Sequence, residues 1–281
     1  MKIYPIKLTL TIISSVSLIT LLAGKVAAIT EPPLQIANYP ATTIAQTETK
    51  PDLDLLAKTI RDFFQSDRYL TESESLLTAK TNGFDIIFKI KTKTIAQSGK
   101  KFRSEITLRQ QGESKQINYL VISDGKKVWI YKPDLKQYAV TSYAAFNESF
   151  FIGLSSLMFV EIPEDAREEI AQAENSQSIV QGFGLTNLKE LQQEKRTVVG
   201  EELSIYTYKN SKDGLTFSGF IQPQTANLKQ LEMRGNSEGL DIMITEKILA
   251  RTTAPAIDAQ TFTFTPPEGV KKVSSISISP F

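Results

Sequence analysis

Apolar and polar positions alternate with period two through the first half of the chain. Phe84, Ile86, Phe88 and Ile90 alternate with Asp85, Ile87, Lys89 and Lys91. After a Ser98-Gly99 turn, Phe102, Ser104, Ile106 and Leu108 alternate with Arg103, Glu105, Thr107 and Arg109. One face of each strand is apolar and the other wet, as in an antiparallel sheet covered on one side. Tyr69 to Lys80 alternates among mainly polar residues and predicts an edge strand, and Asn82-Gly83 is a hairpin turn. Ile117 to Ser123 leads into a meander in which Asp124-Gly125 turns the chain, Val128 to Tyr131 runs as a strand, Lys132-Pro133-Asp134 turns, and Gln137 to Thr141 returns. Val128 and Ile130 are as apolar as Trp129 and Tyr131, so alternation does not say which pair faces inward.

Three stretches break this pattern with helical spacing. Leu53, Leu56, Ile60, Phe63 and Phe64 form the apolar stripe of an amphipathic helix capped by Asp52. Phe146 to Val160 reads as one helix apolar on more than half its circumference, which must be buried or cover an apolar site. Pro163 begins a shorter helix whose acidic first turn, Glu164 to Glu169, suits the helix dipole and reads as a solvated face. Residues 174–193 look irregular. Strands resume over Arg196–Val199, Leu203–Tyr208, Leu215–Ile221, Leu228–Arg234 and Leu240–Ile248, with short ones expected at Thr261–Phe264 and Val273–Ser279. A sheet with one apolar face needs a cover, and the helices supply it. The fold class is α+β, mainly antiparallel β: a curved incomplete barrel, or half-barrel, with helices across its apolar mouth. The helical lid spans about residues 146–174.

The 281 residues carry a formal net charge of +1, with no His and no Cys. The balanced charge argues against a nucleic-acid partner, which needs a clustered basic excess. The missing residue types exclude thiol and Ser-His-Asp catalysis and Cys/His zinc sites, and no Asp-rich calcium loop is present. Ser155 in Gly153-Leu154-Ser155 has no His to activate it. The reading is a non-enzyme with no cofactor and no metal. Lys2 and Lys7, the apolar run Leu8–Ala23 and the small residues Val26-Ala27-Ala28 have the layout of a cleaved signal peptide over residues 1–28. Lys25 within that layout leaves an uncleaved anchor as the alternative. Residues 29–51 read as a disordered linker and 52–281 as the folded domain.

Three segments then come together. Ser123 to Pro133 resembles the Asp-Gly-Lys, aromatic, Tyr, x-Pro hairpin of the LolA family of periplasmic lipoprotein carriers. Asn227-Leu228-Lys229-Gln230-Leu231 is similar to a late strand of that family, and Phe262 to Val270 to its C-terminal Phe-x-Phe-x-Pro-Pro-x-Gly-Val motif. The resemblance implies a periplasmic, monomeric carrier that holds the acyl chains of lipoproteins or lipids in an apolar cavity and ferries them toward the outer membrane. An acylated lipoprotein or lipid would be its cargo, with an inner-membrane release complex and an outer-membrane acceptor as partners. The same frame would also serve a binding or sensor module that recognises a protein or an envelope stress signal. The family's lid-latching Arg-Pro pair is replaced here by Ser98-Gly99, with Lys100, Lys101 or Arg103 as substitutes. The expected lipid-binding residues are Phe150, Phe151, Leu154, Leu157 and Met158 on the lid, facing Phe84, Phe88, Ile90 and Ile106 on the strands, with Trp129. Each of them also reads as plain core.

Overall fold

A computed structural model describes residues 50–80, 85–147, 152–198, 200–211, 213–237 and 240–276. The signal-peptide and most linker positions, the Asn82-Gly83 turn, Phe84, Phe150 and Phe151 lie outside them. The architecture is a single sheet of twelve strands that does not close, in the order β12-β6-β5-β4-β3-β2-β1-β11-β10-β9-β8-β7. The first meander comprises β1 (Arg68–Lys80), β2 (Asp85–Gln97), β3 (Lys101–Gln110), β4 (Ile117–Asp124), β5 (Lys127–Lys132) and β6 (Gln137–Ser142). The second comprises β7 (Leu191–Val198), β8 (Glu201–Asn210), β9 (Leu215–Gln222), β10 (Asn227–Ser237) and β11 (Leu240–Thr253). The helices are α1 (Leu53–Phe64), which precedes β1, and α2 (Tyr143–Asn147), α3 (Leu154–Glu161), α4 (Glu164–Gln172) and α5 (Ser176–Gly182), which run between the meanders.

β1 is central instead of an edge: it pairs antiparallel with β2 and with β11 and so joins the two meanders. Its inward positions Thr71, Ser73 and Ser75 are 2–4% exposed, although they are hydroxyl side chains. A polar alternation therefore hides a buried strand. The inner faces of β2 to β5 follow the alternation: Phe88, Ile90, Phe102, Ile106, Val128 and Ile130 enter one core cluster with α1 and α3. That settles the ambiguous hairpin. Val128 and Ile130 face the core, while Trp129 is half-buried on the opposite side, paired with Ile122.

The stretch Phe146–Val160 is not one helix. α2 ends at Asn147, and Gly153, with φ of 95°, sets the start of α3. The polar region 174–193 holds α5, where the Asn175 side chain accepts from the Ser178 amide at 2.9 Å and Ile179 and Val180 are buried. It also holds the start of β7, which begins at Leu191. Thr261–Phe264 forms no strand. Phe264 instead packs on Tyr131 and Tyr138, 5.7 and 5.3 Å between ring centroids, on the sheet's outer face. The last strand, β12 (Lys271–Lys272), pairs parallel with β6.

Candidate functional site

α1 forms because Asp52 caps it, accepting from the amides of Asp54 and Leu55 at 3.1 Å, ahead of a stripe that buries Leu56, Ile60, Phe63 and Phe64. α3 has no polar side: Leu154, Ser155, Ser156, Leu157, Phe159 and Val160 are all buried. Its circumference is divided between two neighbours. Leu157 joins Phe88, Ile90 and Ile106 in the main core. Leu154 turns the other way, to Met233 and Ile244 on the second meander.

Between these helices and the second meander lies an apolar cavity of about 170 Å³. Leu56, Ile60, Phe63 and Phe64 of α1 form one wall, and Leu154 and Met158 of α3 another. The floor is the inner face of β8 to β10, including Tyr206, Tyr208, Phe217, Gly219, Leu231 and Met233. Of the expected lipid-binding residues that are described, Leu154 and Met158 line this cavity. Phe88, Ile90, Ile106 and Leu157 lie in the packed core beside it, and Trp129 lies on the far face of the sheet. The displacement has a simple origin. The first meander's inner face carries Phe102, Tyr143 and Phe146, with ring centroids 5.3–6.4 Å apart. The second meander carries Gly219 opposite Tyr206 and Leu231, where no side chain fills the space.

What holds α3 over this cavity is polar and buried. Glu246 on β11 is 0% exposed. Its carboxylate accepts from the Ser155 amide at 2.6 Å and from the Ser155 hydroxyl at 3.1 Å, so it caps the helix N-terminus from across the sheet. Hydroxyls extend the hold. Ser73 and Thr92 are 2.8 Å apart, Thr94 and Ser104 are 2.7 Å apart, and Thr94 Oγ1 donates to the Ile152 carbonyl at 3.2 Å. Burial pushes the Glu246 carboxyl above the ordinary carboxylate range, while the hydroxyl and amide donors of Ser73 and Ser155 pull it back. At the other end of α3, Arg167 Nη2 donates to the Phe159 carbonyl, and Tyr143 donates to Glu161. The carboxylate at the N-terminus and the guanidinium at the C-terminus both match the helix dipole.

Of the expected latch substitutes, Lys100 sits 4.9 Å from the Tyr143 ring centroid, and the grip on α3 comes instead from Glu246. Glu246 carried a signal in the sequence: it occupies an inward position between Ile244 and Ile248 of an alternating strand. Gly153 completes the grip. A Cβ there would stand 2.6 Å from Glu246 Oε1, in a left-handed conformation that disfavours other residues. Gly153→Ala is expected to cost about 1–3 kcal/mol, read from urea denaturation; a loss near zero would show that α3 starts elsewhere.

No family model and no curated protein matches this sequence. Solved structures similar to the chain include an uncharacterized conserved protein from Thermus thermophilus, at 10% identity and TM-score 0.40, covering 79% of this chain and 98% of that one. A putative outer membrane lipoprotein-sorting protein domain from Vibrio parahaemolyticus aligns at 10% identity and TM-score 0.33, over 75% and 95% of the two chains. A LolA superfamily protein from Nitrosomonas europaea aligns at 8% identity and TM-score 0.26, over 73% and 96%.

Proposed function

We propose that this chain is a periplasmic carrier that takes the acyl chain of a lipoprotein or lipid into the cavity between α1, α3 and β8 to β10 and ferries it toward the outer membrane. The observation that supports the reading is the cavity itself. Its 170 Å³ compares with the about 150 Å³ of an apolar cavity that stays dry and takes up benzene. Sites for larger ligands run to about 300–1,000 Å³. The closed protein thus has room for a short piece of one hydrocarbon chain. Shielding each further CH₂ from water is worth about 0.8 kcal/mol, a gain that requires α1 and α3 to move apart. The walls are side chains on helices, and a helix can swing away more readily than a strand can leave its sheet.

Native mass spectrometry of the protein purified from its own cell envelope is expected to show about one acyl-bearing molecule per chain. A protein that carries no lipid, and that also fails to bind a dodecyl probe, would overturn the reading in favour of a sensor module. Gly219→Leu gives a sharper test. The position faces the cavity, and a Cβ there meets only Leu228 Cδ1, at 3.6 Å. Filling the hollow is expected to weaken dodecyl-probe binding about tenfold while leaving the melting temperature unchanged or higher, since a strand interior prefers a side chain to Gly. Unchanged affinity in a folded Gly219→Leu variant would place the hydrocarbon elsewhere.

A further inference from the structure

Behind the aromatic wall of the cavity stand two arginines that the grip on α3 does not fully use. Arg167 of α4 is 8% exposed. Its guanidinium carbon lies 3.9 Å from the Phe159 ring centroid and 5.9 Å from that of Phe64. Arg251 of β11 is sandwiched between Phe63 at 3.7 Å and Tyr69 at 3.8 Å, and lies 5.7 Å from the same Phe159 ring. Phe63 and Phe64 are also walls of the cavity. Each guanidinium gives one Nη2 hydrogen bond to the carbonyl near a helix C-terminus, Arg167 to Phe159 and Arg251 to Phe63, and Arg251 Nη1 adds one to Thr71 Oγ1 at 3.2 Å.

The remaining donors are not matched. Arg167 Nε and Nη1 and Arg251 Nε are buried without a hydrogen-bond partner. Among the described residues, the arginines in ion pairs are Arg68, Arg196 and Arg234. The buried carboxylate on this face, Glu246, is already engaged by Ser155. Tyr69 acts on both guanidiniums and hydrogen-bonds that of Arg251, whereas Glu164 and Asp67 act on Arg167, and Glu246 on Arg251, only through space. Arg167, buried, and Arg251, partly buried, share one ring, and neither forms an ion pair among the described residues of the kind that buried cations normally require. Unpartnered buried donors in a native protein mark a site whose occupant is missing or a place where strain is kept.

We propose that Arg167 and Arg251 accept an anionic head group, and that the ligand is a single-chain amphiphile bearing a carboxylate or phosphate. This deepens the carrier reading and rests on it: the chain lies in the cavity, and the head reaches past Phe63 and Phe64 to the guanidiniums. Guanidinium donors suit both oxyanions.

Displacement of Nile red by dodecanoate, dodecyl phosphate and the neutral dodecanol tests this on the intact protein. Both anions are expected to bind at least tenfold more tightly than dodecanol, and the tighter of the two identifies the head group. In Arg167→Met, which keeps an apolar stem over Phe159, the ratio of anion to dodecanol affinity is expected to fall to near one. Equal affinity of anions and alcohol in the wild-type chain would overturn the anion site and leave the hydrocarbon reading standing; that comparison needs no variant to fold. A ratio that persists in a folded Arg167→Met would overturn it as well. Displacement by none of the three would remove both readings.

Discussion

Phe159→Ala is expected to lower the free energy of unfolding by about 3–5 kcal/mol and the melting temperature by roughly 10–15 °C for a domain of this size. Phe159 is 0% exposed and sits where three elements meet. It lies 5.0 Å from Tyr69 edge to face and 6.2 Å from Phe64 in parallel. It also carries the two guanidiniums. Removing the ring opens a cavity and strips Arg167 of its nearest aromatic partner, while Arg251 keeps Phe63 and Tyr69. Phe159→Leu separates the two effects. Packing alone gives a cost of about 1 kcal/mol for a nearly volume-conserving exchange. The lost cation–π contacts, largely desolvated, add about 2 kcal/mol. A Leu variant as stable as the wild type would mean that Arg167 draws nothing from the ring. Urea denaturation of the three proteins, with the slope checked for equality, decides between these outcomes.

The fold is legible in the sequence where one rule acts at a time. The alternation through Phe88, Ile90, Phe102 and Ile106 places the inner face of the first meander correctly, because each apolar residue there is simply buried. The half-barrel class follows from the strand count and the lack of helices on a second face. The cavity is harder to place: of the described residues that the apolar pattern singles out, Leu154 and Met158 line it, and the strand residues lie in the core beside it. The hollow lies over Gly219, which brings no side chain to a floor otherwise made of large residues such as Tyr206, Tyr208 and Phe217. β1 reads as an edge because an inward hydroxyl looks like an outward one in sequence. Ser73 is met inside by the Thr92 hydroxyl and by Glu246, and Thr71 by Arg251, while the Ser75 hydroxyl is buried without a partner. Such reciprocity depends on register between β1, β2 and β11, which is a property of the assembled sheet. The break between α2 and α3 is visible as Gly153, but its cause is not. The carboxylate that forbids a Cβ there comes from a residue far along the chain.

Glu246→Ala is expected to cost about 3 kcal/mol, because it leaves the buried Ser155 amide and hydroxyl without their acceptor. Glu246→Gln keeps an acceptor and should cost less, and its difference from the wild type should vary with pH. Burial raises the carboxyl of Glu246 in the folded chain above the ordinary value of 4.5. A raised folded value means that the folded protein holds this proton more tightly than the unfolded one does. The stability that protonation brings is then fully present below the ordinary carboxylate value and is lost as pH rises through the folded value. Wild-type stability relative to Glu246→Gln should therefore fall as pH is raised above the ordinary carboxylate value; parallel profiles would show that burial does not dominate at this carboxyl. The same residue ties stability to loading. Leu154, adjacent to the amide that Glu246 holds, is a wall of the cavity. Weakening that grip should let the start of α3 lift, so the association rate of a dodecyl probe should rise several-fold in Glu246→Ala even as the protein becomes less stable. A rate that falls with stability would instead make α3 part of a fixed frame and leave α1 as the element that moves.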